Sequence, residues 1–238
     1  MRSRSLALIG AGLAAAFAIG APTTQAAAPP HWYLQESGSW VSLSGLTGLV
    51  EQMTPETLSG EGELAVYTEN EPHGEKPVSN CLAKDTESIE DPSEATLPGT
   101  GSMEAFEVIC EKGTGSLNAA YPTPCLYGEG FELKGVDLNW PSVLESGTKA
   151  KAKSRATSGS TGFDSVGSAR LEVFCLHTRE HAEYEGFLRP EVLVGRVRFI
   201  KASTGEFVEP ASGAHFYFKG TVFVEPTNFK DVRVTPEG

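Results

Sequence analysis

The chain is short of positive charge, of histidine and of helix signals. Its 238 residues hold 19 Lys and Arg against 31 Asp and Glu, with 5 His, for a net charge of −12 at pH 7. That balance excludes nucleic acid as a partner for the whole surface, because phosphate recognition needs a basic footprint. After residue 28 no apolar run is long enough to cross a bilayer as a helix, which takes about 20 residues. There is no G-x-S-x-G, no P-loop and no G-x-G-x-x-G. The common signatures of hydrolases, nucleotide binding and dinucleotide binding are therefore missing, and no cofactor is predicted. No C-x-x-C pair occurs among the four cysteines, which speaks against a redox motif or a zinc ribbon.

What the chain does have begins with a leader. Arg2 and Arg4 precede an apolar, Ala- and Gly-rich run from Leu6 to Ala21, then a small-residue exit, "TTQAAA". A basic start, an apolar middle and a small-residue exit in that order make a secretory signal peptide. A cut after Ala28 would leave Pro29 at the scissile bond, a poor peptidase substrate. Cleavage after Ala26 is predicted instead, so residues 1–26 are the signal peptide. Losing Arg2 and Arg4 takes the net charge from −12 to −14. The exported remainder has an even set of cysteines, Cys81, Cys110, Cys125 and Cys175. Outside the cell such a set reads as disulfides before it reads as a metal site.

Gly (26) and Pro (15) punctuate the chain every few residues. Between them lie short runs rich in Val, Phe, Tyr and Thr. "SWVSLSG", "GELAVYTE", "AFEVICE", "GFELKGVDL", "ARLEVFCLH", "EVLVGRVRFI", "HFYFKGTVFVEP" and "KDVRVTP" all read as strands. In "GRVRFI", Val197 and Phe199 face one way and Arg196 and Arg198 the other, the alternation of a half-buried antiparallel strand. "KASTGEF" supplies a Gly-containing turn, which predicts a hairpin over residues 192–209. "SMEAFEV" and "SVLESG" come nearest to a helical turn, but neither has the periodicity to assign one, and residues 72–103 form the longest irregular stretch. Many short strands with turn signals about every ten residues predict an all-β fold. The expected architecture is an antiparallel β-sandwich, with a barrel-like variant compatible with the same pattern, Gly/Pro-rich loops and at most one or two short helices. Residues 27–238 are read as a single secreted domain, large enough to bury roughly 70% of its unfolded surface, with a candidate seam near residues 141–160.

The acids are unevenly placed. Between Glu51 and Glu94 there are twelve, against Lys76 and Lys84. They read as solvated loops that keep an exported protein soluble, since "KDTESIEDPSE" lacks the ligand order of a calcium loop. "HTREH", residues 177–181, fits the inverted zinc-peptidase pattern H-x-x-E-H. On a helix His177 and His181 would share a face and hold zinc, with Glu180 as general base. The stretch follows directly on a strand, with Gly186 and Pro190 close behind, so it reads better as a charged loop, and no metal is predicted. "LPGTG", residues 97–101, matches a sortase signal but stands far from the C-terminus and reads as a turn. Trp32, Tyr33 and Trp40 suit packing better than sugar stacking.

One stretch is strongly basic. "GTKAKAKSR" sets Lys149, Lys151, Lys153 and Arg155 at every second position. As an extended strand it would present all four cations on one face. The expectation is a solvent-exposed edge strand or flap, since edge lysines discourage pairing with a second chain. Contact with a polyanion at those four residues is the alternative.

Several features together carry a resemblance. His31-Trp32-Tyr33 follows the leader, and Cys81 precedes "ESIEDP" with Pro92. Phe106, Cys110, Cys125, "LNWPSVL", Cys175, "YEGFLRP" and "FKGTVFV" come after in that order. The series resembles a group of secreted actinobacterial proteins with no assigned activity. The resemblance implies secretion and a β-rich fold, and it carries over no functional residue.

From the residues themselves, Cys110 and Cys125 bracket a flexible Gly/Pro-containing loop of fourteen residues. A bridge there would contribute about 3 kcal/mol. The predicted pairing is therefore 110–125 and 81–175. The predicted function is an extracellular binding or structural module with no catalytic site and an unidentified ligand. The alternative is a zinc-dependent hydrolase using His177, His181 and Glu180.

Overall fold

The computed structural model describes residues 29–46, 55–68, 77–92, 94, 96–111, 125–126, 128–146, 162–200 and 204–234. The signal peptide and the basic stretch 149–155 lie outside the described residues, as does the loop between Cys110 and Cys125. Among the described residues the chain is antiparallel β apart from one helical turn, α1 (Leu43–Leu46).

Three long strands form a meander: β3 (Glu56–Tyr67), β4 (Ser79–Glu90) and β5 (Thr100–Cys110). The next position is shared by β6 (Phe131–Gly135) and β7 (Trp140–Ser146), laid end to end between β5 and β8 (Gly162–Cys175). The position after β8 is shared by β9 (His181–Leu188) and β10 (Glu191–Leu193). Then come β12 (Gly205–Val208) beside β9 and β11 (Arg196–Phe199) beside β10. Both also pair with β13 (His215–Pro226), which returns to β3 over ten residue pairs. That last pairing closes a barrel of eight strand positions. The fold is thus the barrel-like form of the all-β expectation, and closure removes the sheet edges that an open sandwich must protect.

A second sheet of three strands, β2 (Ser39–Ser42), β1 (Trp32–Glu36) and β14 (Val232–Val234), sits at the β7/β10/β11 end. It is tied there by Trp32 Nε1 donating to Thr100 O (3.0 Å), Gly99 N to Pro30 O (2.9 Å) and Gly195 N to Val232 O (2.9 Å).

Alternation explains most of these strands. In β13 Phe216, Phe218, Val222 and Val224 are buried in the barrel, while Lys219 and Phe223 point outward. The core at the β6/β9/β12 end is aromatic. The Phe218 ring stands edge-on to Phe106, Phe199, Phe207 and Phe216, with centroids 5.6–6.1 Å apart, the geometry that ring quadrupoles favour. Outside, one cross-strand row reads Glu61, Lys84, Glu107, Lys134, Glu172. Lys84 pairs with Glu61 (3.7 Å) and Lys134 with Glu107 (3.3 Å). Opposite charges facing each other across strands support the sheet modestly. A charged outer row is the reverse of the apolar band that faces lipid in a membrane barrel. Among the described residues no helix is long and apolar enough to cross a membrane.

Three expectations need correction. Residues 192–209 are not one hairpin. β10 and β11 turn at Val194-Gly195, and β12 pairs with β9 and β13 instead of β11. "SMEAFEV" and "SVLESG" lie in strands β5 and β7, and the helical turn falls at residues 43–46. The supposedly irregular 72–103 contains the twelve-residue β4. Its sequence signal is weak because the inward positions before Ile89 are Ser79, Cys81, Ala83, Asp85 and Glu87, small or acidic where large apolar side chains are the usual signal. The disulfides are Cys81–Cys110 and Cys125–Cys175, not 110–125 and 81–175. Leu82 pairs with Ile109 in the antiparallel β4–β5 ladder, which sets Cys81 directly opposite Cys110. Strand register, not loop length, decides that bridge. The two bridges fit an oxidising compartment.

Candidate functional site

The odd-numbered residues of β4 point into the barrel, so Asp85 and Glu87 follow Cys81 and Ala83 inward. From the opposite wall Asp164 enters in the same way, between Gly162 and Val166 of β8. Ser142 enters from β7. Glu87 is 7% exposed, Asp164 3% and Ser142 4%. Ser142 Oγ donates to Glu87 Oε1 at 2.5 Å, and Asp164 lines the same cavity as Glu87. Asp85 as a whole residue is partly accessible, yet its Oδ1 is buried and makes no hydrogen bond, and the same holds for Asp164 Oδ1.

Glycines make the room. A Cβ on Gly60 of β3 would stand 1.6 Å from Asp85 Oδ1. One on Gly101 of β5 would stand 2.4 Å from Glu87 Oε1 and 2.7 Å from Ser142 Oγ. The Ser142–Glu87 bond therefore passes over the strand between its partners only because that strand has no side chain there.

The three carboxylates adjoin a cavity of about 20 Å³ lined otherwise by apolar side chains, among them Trp32, Phe106, Leu188 and Phe199. That volume suits a water molecule and nothing much larger. Burial pushes all three carboxyls up, and repulsion by a neighbouring carboxylate adds to it for Asp85 and Glu87. Asp85 is raised from 3.8 to about 7, by burial first and by Asp164 second. Asp164 is also raised by burial, and Glu87 well above the usual range by burial and by Asp164.

Of the twelve acids read as solvated loop residues, Asp85 and Glu87 thus point into the barrel, and Glu56 is buried as well. The signal that would have found them is phase: Asp85 and Glu87 stand at even spacing from Cys81 and Ile89, and Asp164 at even spacing from Val166.

HTREH is neither helical nor buried. Leu176 to Thr178 form the turn between β8 and β9, closed by Cys175 N to Glu180 O (2.9 Å) and Arg179 N to Cys175 O (3.1 Å). The Glu129 carboxylate holds the turn by accepting from the amides of His177 (2.5 Å) and Thr178 (2.6 Å). His177, Glu180 and His181 are exposed, and the two histidines have no common helical face. Among the described residues no group of three or more His, Cys, Asp or Glu side chains is arranged to hold a metal ion. Substituting His177 or His181 by Ala is expected to change stability by less than ~0.5 kcal/mol, as at ordinary surface positions, with urea midpoints as the readout.

The other candidates are packed. Trp32 is buried, and Arg233 lies over the rings of Trp40 (4.4 Å) and Tyr33 (5.7 Å). Leu97 of LPGTG closes a turn through its N–H to Glu94 O (3.0 Å), and the motif runs on into β5.

Comparison of the chain with family models, curated proteins and solved structures finds no match. Residue roles rest on geometry.

A second concavity lies outside the barrel. Across the outer face of β13, β3, β4 and β5 runs a groove of about 760 Å³. Its floor includes Leu82, 51% exposed, and Ile109. Glu61, Glu63, Glu107 and Glu111 line it against Lys84 and Lys219. Lys219 is drawn over the Tyr67 ring at 4.6 Å.

Proposed function

We propose that the protein is a secreted extracellular binding module whose contact surface is this outer groove and whose ligand is a cationic, partly apolar segment. The observation that carries the reading is the contrast of volumes: about 20 Å³ inside the barrel against about 760 Å³ outside it. Ligand sites are concavities of several hundred Å³, a condition the interior does not meet. Four carboxylates against two lysines give the groove an acidic bias, and the exposed Leu82 adds an apolar contact. Electrostatic complementarity of that kind selects a basic partner and speeds its encounter. The leader, the disulfides and the resemblance to secreted proteins support an extracellular setting.

A labelled lysine-rich peptide carrying leucines tests the reading by fluorescence anisotropy at physiological salt. Reversing Glu63 and Glu111 to Lys is expected to weaken its binding at least roughly tenfold, ~1.4 kcal/mol. Reversing Glu90 and Glu104, exposed acids outside the groove, should change it far less. Equal losses from both pairs would show attraction to net charge alone and sink the groove as a site.

A further inference from the structure

We propose that Asp85, Glu87 and Asp164 form a proton-binding site inside the barrel, which ties the stability of the fold to acidic surroundings. The geometry favours protons there. Glu87 and Asp164 are buried and line one small cavity together with Asp85, and carboxylates that share a site cannot all ionise without repelling one another. Asp85 Oδ1 and Asp164 Oδ1 are buried without a partner. An ionised oxygen in that position loses its water with no compensation, whereas a neutral carboxyl loses much less.

Among the described residues no cation lines the cavity. The other cavity-lining side chains, from β1, β3, β5, β8, β9, β10, β11, β13 and β14, are all apolar. The nearby ionisable groups are engaged elsewhere. Glu56 accepts from Asn228 N and Nδ2 (both 2.8 Å), and Asp91 accepts from Trp32 N (3.1 Å) beside His31. Gly60 and Gly101 hold open the space the carboxyls occupy, so the cluster is built into the wall.

The direction follows from linkage. In the unfolded chain a carboxyl releases its proton near pH 4, while Asp85 in the barrel keeps its proton to about pH 7. Between those values the folded state binds more protons than the unfolded one. The stabilisation is full below about pH 4 and is lost as pH rises through about 7. Above that, two or three like charges face each other in an apolar cavity.

Thermal melts of the exported chain from pH 5 to pH 8 test this. The wild type is expected to lose roughly 10 °C in Tm over that range, on the usual conversion for a domain of this size. Asp85→Asn and Glu87→Gln should flatten the slope and melt above the wild type at pH 8. A wild-type Tm that is constant or rises from pH 5 to pH 8 would overturn the proposal, as would variants that keep the full slope. Should the variants not fold, the wild type alone decides: refolding from urea in weakly buffered solution at pH 6 must take up protons, and release or no exchange refutes the site.

Discussion

Reduction of the two disulfides is expected to unfold the barrel at 25 °C without denaturant. Cys125–Cys175 closes a loop of 50 residues and Cys81–Cys110 one of 29. On the chain-entropy relation each bridge contributes about 4 kcal/mol, the longer loop slightly more. The pair together therefore matches the ~5–15 kcal/mol by which domains of ordinary stability stay folded. Tryptophan emission reports the result, because Trp32 and Trp140 are buried and both would enter water. Dithiothreitol should shift the emission to the red at a urea concentration where the oxidised protein is native. Single-bridge variants separate the terms. Cys125→Ser with Cys175→Ser and Cys81→Ser with Cys110→Ser should each lower the unfolding free energy by about 4 kcal/mol. A reduced protein with the midpoint of the oxidised one would show that the barrel holds without its staples.

The strands that could be read in advance are those whose inward positions are large and apolar. β13, with Phe216, Phe218, Val222 and Val224, announces itself, and so does β8 through Leu171 and Val173. Closure was not legible, because it lies in the pairing of β13 with β3, some 150 residues apart in sequence, and local patterns carry no long-range register. The division of one strand position between β11 and β12 was hidden for the same reason. Either segment looks like half of a hairpin, and only β13 running past both reveals that they lie in line. The interior carboxylates were obscured by a sound rule. Acids are almost never fully buried unless paired, and here acids of strands β4 and β8 line one cavity with no cation among its lining residues.

Glycine punctuates the sequence, and in several strands it is structural as well. Gly62 lies in the middle of β3, opposite Val222 of β13, at the seam that closes the barrel. A Cβ there would stand 2.2 Å from Thr221 O, 2.6 Å from Val222 Cα and 3.0 Å from Thr221 C. All three are backbone atoms of the neighbouring strand, so no side-chain rotation relieves the clash. Gly62→Ala must push β13 away from β3 and stretch the ladder that joins the chain's two ends. The expected cost is about 3 kcal/mol, the upper part of the range for overpacking. Gly167, at the irregular step in β8, supplies the control: a Cβ there meets nothing within 4 Å. Gly167→Ala should therefore stay within ~0.5 kcal/mol of the wild type, as at open surface positions. Urea denaturation of both variants in the oxidised state measures the contrast, with the staples intact so that only the seam is changed. Equal midpoints for the two would mean that β3 and β13 have slack at Gly62, and that the barrel is not closed as tightly as its backbone spacing indicates.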